Sequence, residues 1–291
     1  MKAAFVGLIG RPSCGKSTFI NRVCGGKVSI ISPVPQTTRN RIRGIHNSEV
    51  GQLVFIDTPG FHLSEKKINH YLRELAFKTL REVDLLLYLL DVTRLPGDEE
   101  RALMGLLKEH EQRLVIGLNK IDVGDNCLRQ MQDELAAAFR SPRIYALSAL
   151  NGGGIVELLQ ALWQLAPEGD RLYPEDFYTD QPPDFRIAEI VREKAINQTR
   201  QEVPHCLYVE VSDLEMKDGN TWLWARGFIY VERESQKGIL VGKNGEKIKS
   251  IVREAQEELA RLFPYAVKLD IRVKTRPNWR KDDRLLKKLI S

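Results

Sequence analysis

No stretch of the 291 residues approaches the roughly 18 consecutive apolar residues that a membrane-spanning helix demands, so nothing in the sequence is read as crossing a bilayer. Cysteine is scarce. Cys14, Cys24, Cys127 and Cys206 are scattered, with no CxxC pair. That sets aside a disulfide framework and a structural zinc, and it suits the reduced thiols of a cytosolic protein. The opening MKAAFVGLIG shows neither a signal-peptide cleavage pattern nor an Arg/Ser-rich transit region. An excess of one charge sign is missing too, with 44 basic against 39 acidic side chains. What is present, 43% hydrophobic and 29% charged residues, suits ordinary cores rather than disorder. The length suits two domains.

The charge is unevenly spread. Residues 1–170 carry 21 basic and 19 acidic side chains, residues 171–234 carry 8 and 13, and residues 235–291 carry 15 and 7. The last fifth is therefore a candidate polyanion-binding surface. A solvated face is the plainer alternative.

Residues 1–168 alternate apolar runs with amphipathic stretches. The runs AAFVGLIG, LVFIDTPG, LLLYLLDV, LVIGLNKID and RIYALSA suit strands buried on both faces of a mainly parallel sheet. Helix-like segments at 66–82 and 126–139 lie between them. GIVELLQALWQLAP is the last helix, stopped by Pro167. The pattern is a three-layer α/β domain. Residues 169–185 hold no periodic pattern and, with Pro167 and Glu168, bring together four prolines and six acids; they read as a linker. Residues 186–291 change rhythm to α-β-β-α-α-β, a small α+β domain. Trp222, Trp224, Phe228 and Tyr230 share one period-2 face and read as core. Trp279 reads as the better exposed aromatic.

Gly10 to Ser17 fits G-x-x-x-x-G-K-[ST], after a strand and before the helical pattern STFINRVC. Glycines let backbone N–H groups turn inward around phosphates, and the helix N-terminus adds its positive end. Gly10, Arg11, Pro12, Ser13, Cys14, Gly15, Lys16, Ser17 and Thr18 are thus candidates for holding a nucleotide. Lys16 reaches the β- and γ-phosphates and Ser17 binds magnesium.

Four further boxes follow in order. In Asp57-Thr58-Pro59-Gly60, Asp57 holds magnesium through water and the Gly60 N–H meets the γ-phosphate. In NKID, Asp122 accepts two N–H groups that guanine offers and adenine does not, Asn119 anchors the loop, and the Lys120 stem covers the ring. In Ser148-Ala149-Leu150, the Ala149 N–H meets the guanine oxygen. All close strands, where α/β sheets bind ligands. In PQTTRNR (35–41), a threonine completes the magnesium sphere; Thr38 is favoured over Thr37. The catalytic set is Lys16, Thr38 and Gly60. Phe61 stands where many such switches place a water-orienting glutamine, which implies slow intrinsic turnover. His62 reads as incidental.

Gly242-Lys243-Asn244-Gly245 is a GxxG between two helical patterns, with Lys237, Lys247 and Lys249 around it. Apolar spacing at Ile239, Leu240, Val241, Ile248, Ile251 and Val252 packs both helices on one core. This matches a KH domain of the type with its extra helix first (type II), whose GxxG loop clamps the nucleic-acid backbone.

With GRPSCGKST, PQTTR, DTPG, NKID and SAL joined to SQKGILVGKNGEKIKSI, essentially the whole chain resembles the Era-like family of bacterial GTPases. The resemblance implies a P-loop GTPase domain followed by a KH domain, GTP hydrolysis with magnesium, and GTP/GDP as ligand. It also implies binding near the 3′ end of small-subunit (16S) ribosomal RNA during assembly of that subunit. A cytoplasmic monomer with peripheral association to the inner membrane is implied as well. One departure stands out. Family loops usually read G-R-P-N-V-G-K-S, and in related GTPases that asparagine helps hold an activating potassium ion. Ser13 is shorter and lacks the carboxamide oxygen, which puts K+ activation in doubt.

Overall fold

The protein is described from a computed structural model, covering residues 1–32, 34, 40–58, 60, 74, 78–124, 126–219 and 221–289. The expected helix over 66–82 lies largely outside them. Two compact units emerge, one mainly of Met1–Ser29 and Pro35–Asp180, the other of Ile30–Val34 and Gln181–Leu286.

The first unit is built on six strands: β1 (Lys2–Ile9), β2 (Ile42–Asn47), β3 (Gly51–Asp57), β4 (Leu85–Asp91), β5 (Leu114–Asn119) and β6 (Ile144–Leu147). Their order is β2-β3-β1-β4-β5-β6. All pairings are parallel except β2 with β3. Every residue of β3, β4 and β5 is buried, which is why these strands read as continuous apolar runs rather than alternating ones. Helices α1 (Lys16–Val23), α2 (Asp98–Leu107), α3 (Leu128–Ala138) and α4 (Ile155–Leu165) connect them. One face of the sheet packs Ile9, Ile56, Leu86, Tyr88 and Ile116 against Leu103, Leu107, Leu135 and Phe139. Acids at Asp98, Glu99 and Glu100 fill the first turn of α2, where the helix dipole favours them.

The proline-rich stretch expected as a linker does structural work over residues 172–180. Gln52 is fully buried. Its carbonyl oxygen accepts the Leu172 and Tyr173 N–H groups, and its amide donates to Asn47 and the Tyr173 carbonyl. The Ile45 N–H donates to the Tyr178 carbonyl at 2.9 Å. Strand β2 is the sheet edge, and this segment covers part of it.

The second unit runs α5 (Pro183–Asn197), β7 (Tyr208–Lys217), β8 (Trp222–Val231), α6 (Glu234–Val241), α7 (Glu246–Leu262) and β9 (Ala266–Thr275), then the first residues, to Leu286, of α8 (Asp283–Leu289). Its sheet has the order β7-β8-β9, antiparallel then parallel. Ile251, Ala255 and Leu259, one face of α7, are fully buried against Leu223, Ala225, Ile229 and Val231 of β8. Those β8 residues are the core face. Trp222, Trp224, Phe228 and Tyr230 therefore point to the other face and are half-buried, which corrects the expectation that they form the core. Strict alternation put both sets at period 2, and the smaller set filled the interior.

Trp279 also departs from expectation. It is 1% exposed, donates from Nε1 to the Cys206 carbonyl at 2.8 Å, and lies 4.8 Å from the Tyr208 ring. The stretch after β9 folds back to bury it. We predict that Trp279→Ala lowers the unfolding free energy of this unit by about 3–5 kcal/mol; an unchanged denaturation midpoint in urea would show that the ring does not anchor the fold.

Candidate nucleotide-binding site

The loop after β1 carries Gly10 to Gly15 into the first turn of α1. Gly15 sits at φ 101°, and a Cβ there would collide with the Asn119 amide, so glycine is required. Lys16 is buried. Its ammonium donates to the carbonyls of Gly10 at 3.1 Å and Arg11 at 2.8 Å, which curls the loop around one cation. Cys14 is buried beside it, Sγ 3.8 Å from Lys16 Nζ. Burial pushes the Cys14 thiol above its usual range, although Lys16 opposes this. It packs as a small apolar side chain. Ser13 is exposed, with φ 62°.

The Ser17 hydroxyl donates to Asp57 Oδ2 at 2.9 Å, at the buried end of β3. A hydroxyl and a carboxylate this close are hard oxygen donors of the kind magnesium takes, so the residues present fit the ion. Ser29 also donates to Asp57 Oδ2, at 3.0 Å, and is buried. Nothing in the sequence singled Ser29 out. A Cβ added to Gly60 would stand 2.5 Å from the Pro12 nitrogen, which places the loop after β3 against the phosphate loop.

At the end of β5, the Asn119 side chain joins two loops. Its amide donates to the Cys14 carbonyl at 2.8 Å, and its oxygen accepts the Ala149 N–H at 2.8 Å. The Ala149 N–H, expected to face the base, has this partner in the present conformation. Lys120 has φ 72° and its ammonium donates to Asp91 Oδ2 at 2.6 Å. Burial alone would raise the Asp91 carboxyl, but hydrogen bonds from Lys120 and Thr93 outweigh it and hold the group below its usual range. Asp91 closes LLLYLLD as Asp57 closes LVFID, a parallel the sequence contained. Asp122 is exposed. Ser148 is buried and its hydroxyl accepts the Asn151 N–H at 3.0 Å. Leu150 is exposed, and its carbonyl accepts from Arg22 of α1.

Two proposed ligand residues turn elsewhere. The Arg11 guanidinium pairs with Glu99 at 2.8 Å and Glu100 at 2.7 Å on α2. The Thr58 hydroxyl donates to the Leu8 carbonyl of β1 at 2.6 Å. Thr37, Thr38, Pro59, Phe61 and His62 lie outside the described residues.

The ends of β1, β3, β5 and β6 thus converge on one mouth, at the carboxyl edge where the sheet order reverses at β1. A model of the 50S ribosome-binding GTPase family matches residues 5–120, and a KH-domain model matches residues 202–280. The GTPase Era of Treponema denticola is 50% identical over 99% of both chains. That of Borreliella burgdorferi is 43% identical over 100% of both.

The chain belongs to the Era family of GTPases.

Solved structures agree. An Aquifex aeolicus Era variant bound to GDP and AlF4 has a TM-score of 0.92 at 34% identity, covering 99% of this chain and 98% of its own. An Era in complex with MgGDPNP and nucleotides 1506–1542 of 16S ribosomal RNA has a TM-score of 0.92 at 35% identity, with the same coverage. The protein is a GTP-hydrolysing enzyme of the Era family, with a P-loop GTPase domain followed by a smaller α+β KH domain.

In the KH domain, α6 ends at the GxxG turn and α7 begins just after it. Gly242 and Gly245 have φ 72° and 76°, and Asn244 has φ 54°; positive φ at three of the four positions lets two helices meet at a tight turn. Lys243, Asn244 and Lys249 are exposed, Lys247 is half-buried, and Lys237 pairs with Glu234 at 3.4 Å.

Asn119 is the one side chain hydrogen-bonded to both the phosphate loop and the SAL loop among the described residues. Asn119→Ala is expected to weaken GDP binding at least tenfold while leaving the fold intact. Fluorescent-GDP titration beside far-UV circular dichroism checks this; unaltered affinity would rule out the bridge as an organiser of the site.

Proposed function

We propose that the protein is a switch that binds GTP and magnesium, hydrolyses GTP slowly, and binds small-subunit ribosomal RNA near its 3′ end to assist assembly of that subunit. The observation that carries the nucleotide reading is the convergence of Lys16, the Ser17–Asp57 pair and the Asn119 bridge at one sheet edge. Lys16 would neutralise the β- and γ-phosphates, with the Gly60 N–H and Thr38 completing the catalytic set. Ser17, Asp57 and Thr38 would hold magnesium, which supplies charge neutralisation on the phosphates when bound. Asn119, Lys120, Asp122 and Ala149 would select guanine. Arg11, by contrast, would act at a distance, bracing the loop on α2 rather than touching phosphate.

The RNA reading rests on the GxxG turn with its exposed Lys243 and Asn244, and on the relative in complex with 16S nucleotides. We place the protein in the cytoplasm as a monomer, with peripheral contact to the inner membrane. Among the described residues, no helix is long and apolar enough to cross one.

Two experiments test this. Replacing Lys243 and Asn244 by acids is expected to cut affinity for a 16S 3′-end RNA by about tenfold and to flatten its salt dependence; RNA binding unchanged across salt would remove the clamp. Separately, Ser13 lacks the carboxamide that would hold potassium, so GTP turnover should be nearly equal in potassium and sodium. A clear preference for potassium would refute that role for the missing asparagine.

A further inference from the structure

The helices that carry the GxxG turn cover one face of the KH sheet. The opposite face has its own chemistry. Along β8 it presents Trp222, Trp224, Arg226, Phe228 and Tyr230. Beside them β9 presents Lys268, Asp270, Arg272 and Lys274, and the three cations are exposed. On the other flank β7 presents Glu210, Asp213 and Glu215, with Lys217 opposite Trp222 and paired to Glu215. The face is therefore striped: mostly acids on one flank, aromatic rings along the middle, and mostly cations along the β9 edge.

The rings and cations already touch. Lys268 Nζ lies 4.0 Å from the Trp222 ring centre, Arg226 Cζ 4.8 Å from Trp224, and Lys274 Nζ 3.4 Å from Phe228. The Tyr230 end is closed by its stack on Tyr208, which in turn packs against buried Trp279. Trp222, Trp224 and Phe228 remain half-exposed. Asp270 restrains Arg226 at 3.2 Å and Arg272 at 3.4 Å, while Lys268 and Lys274 lie over ring faces.

We propose that this outer sheet face, with Trp222, Trp224 and Phe228 flanked by Lys268, Arg272 and Lys274, is a second binding surface for single-stranded RNA, separate from the GxxG groove. It rests on the RNA-binding reading above and extends it. Residues two apart on a strand stand roughly 6.6–6.8 Å apart, about twice the ~3.4 Å rise per nucleotide of a stacked strand. Trp222 and Trp224 can each take a base of an extended strand. Phe228, two such steps further on, can take another. Stacking accepts any base, because every base offers a π-face. A base stacked on Trp222 or Phe228 displaces the ammonium now lying there, and that ammonium is free to meet the strand's phosphates along β9. The acids of β7 repel phosphate from the far side and fix which way the backbone lies. A neutral or acidic partner would leave either the ring row or the one-sided charge without purpose.

The test uses the full chain and a fluorescein-labelled oligouridine of about 12 nucleotides. Lys268→Glu/Arg272→Glu/Lys274→Glu is expected to lower affinity about tenfold and to reduce the salt slope by about two, from three phosphate contacts at ~0.7 each. Oligouridine should quench tryptophan emission in the parent and much less in Trp222→Leu/Trp224→Leu, a readout that a merely structural role would not move. In the Lys243→Glu/Asn244→Asp background, residual binding should persist and vanish when the β9 substitutions are added. The proposal fails if the β9 triple variant binds within twofold of the parent, or if the groove variant alone abolishes binding; in that second case the KH reading stands. It also fails if poly-glutamate binds the face as tightly as oligouridine, which would mark a site for an acidic protein. Intact binding in every variant would sink both RNA readings.

Discussion

The nucleotide mouth depends on one buried carboxamide. Asn119 stands at the end of β5, between a phosphate loop that offers a carbonyl and a SAL loop that offers an N–H. Only a side chain with both a donor and an acceptor on one planar group satisfies both partners. Three loops from three strands are thereby fixed to one another before any ligand arrives, so this part of the site is organised in advance. Gly15 follows from the same constraint, because the Asn119 amide occupies the space where a Cβ would go.

Around that bridge the charges are arranged in buried or half-buried pairs. Lys16 is held by backbone carbonyls, Lys120 by Asp91, and Arg11 by Glu99 and Glu100. Each cation has partners that keep it in place, which spares the fold an uncompensated buried charge. The partners differ in what they leave available. Lys16 is tied to neutral carbonyls and can exchange them for phosphate oxygens. Arg11 is tied to two carboxylates and is committed to α2. In GRPSCGKST the two cations thus differ in the charge of their partners, which is the basis of the separate roles proposed for them.

The boxes were legible because their chemistry demands particular residue types at strand ends, and the strands announced themselves as apolar runs such as LLLYLLD. Other features had no such mark. Ser29 reaches Asp57 only because the chain between α1 and β2 returns there. Gln52 reads as an ordinary polar strand residue, yet it fastens residues 172–173 to the sheet. On β8 the large aromatics looked like a core because they alternate. The opposite register, Leu223, Ala225, Gly227, Ile229 and Val231, fills the interior, since α5 and α7 lie close enough that small and branched side chains fit better there. Trp279 looked exposed among charges; its burial depends on Cys206 and Tyr208, about 70 residues earlier.

Ile30 belongs to the core of the second unit, beside Val191 and Leu223, and the Ile31 N–H donates to Glu193, 162 positions away. The preceding residue, Ser29, bonds Asp57 of the first. The KH core is therefore not a self-sufficient segment of chain: a fragment beginning at residue 181 would carry an unfilled hole where Ile30 packs and would lose the Ile31 bond to Glu193. During synthesis the piece that closes this core leaves the ribosome long before the rest of it. That early piece must wait for the rest of its core and then close a long loop to reach it, which makes this unit the later and slower of the two to assemble.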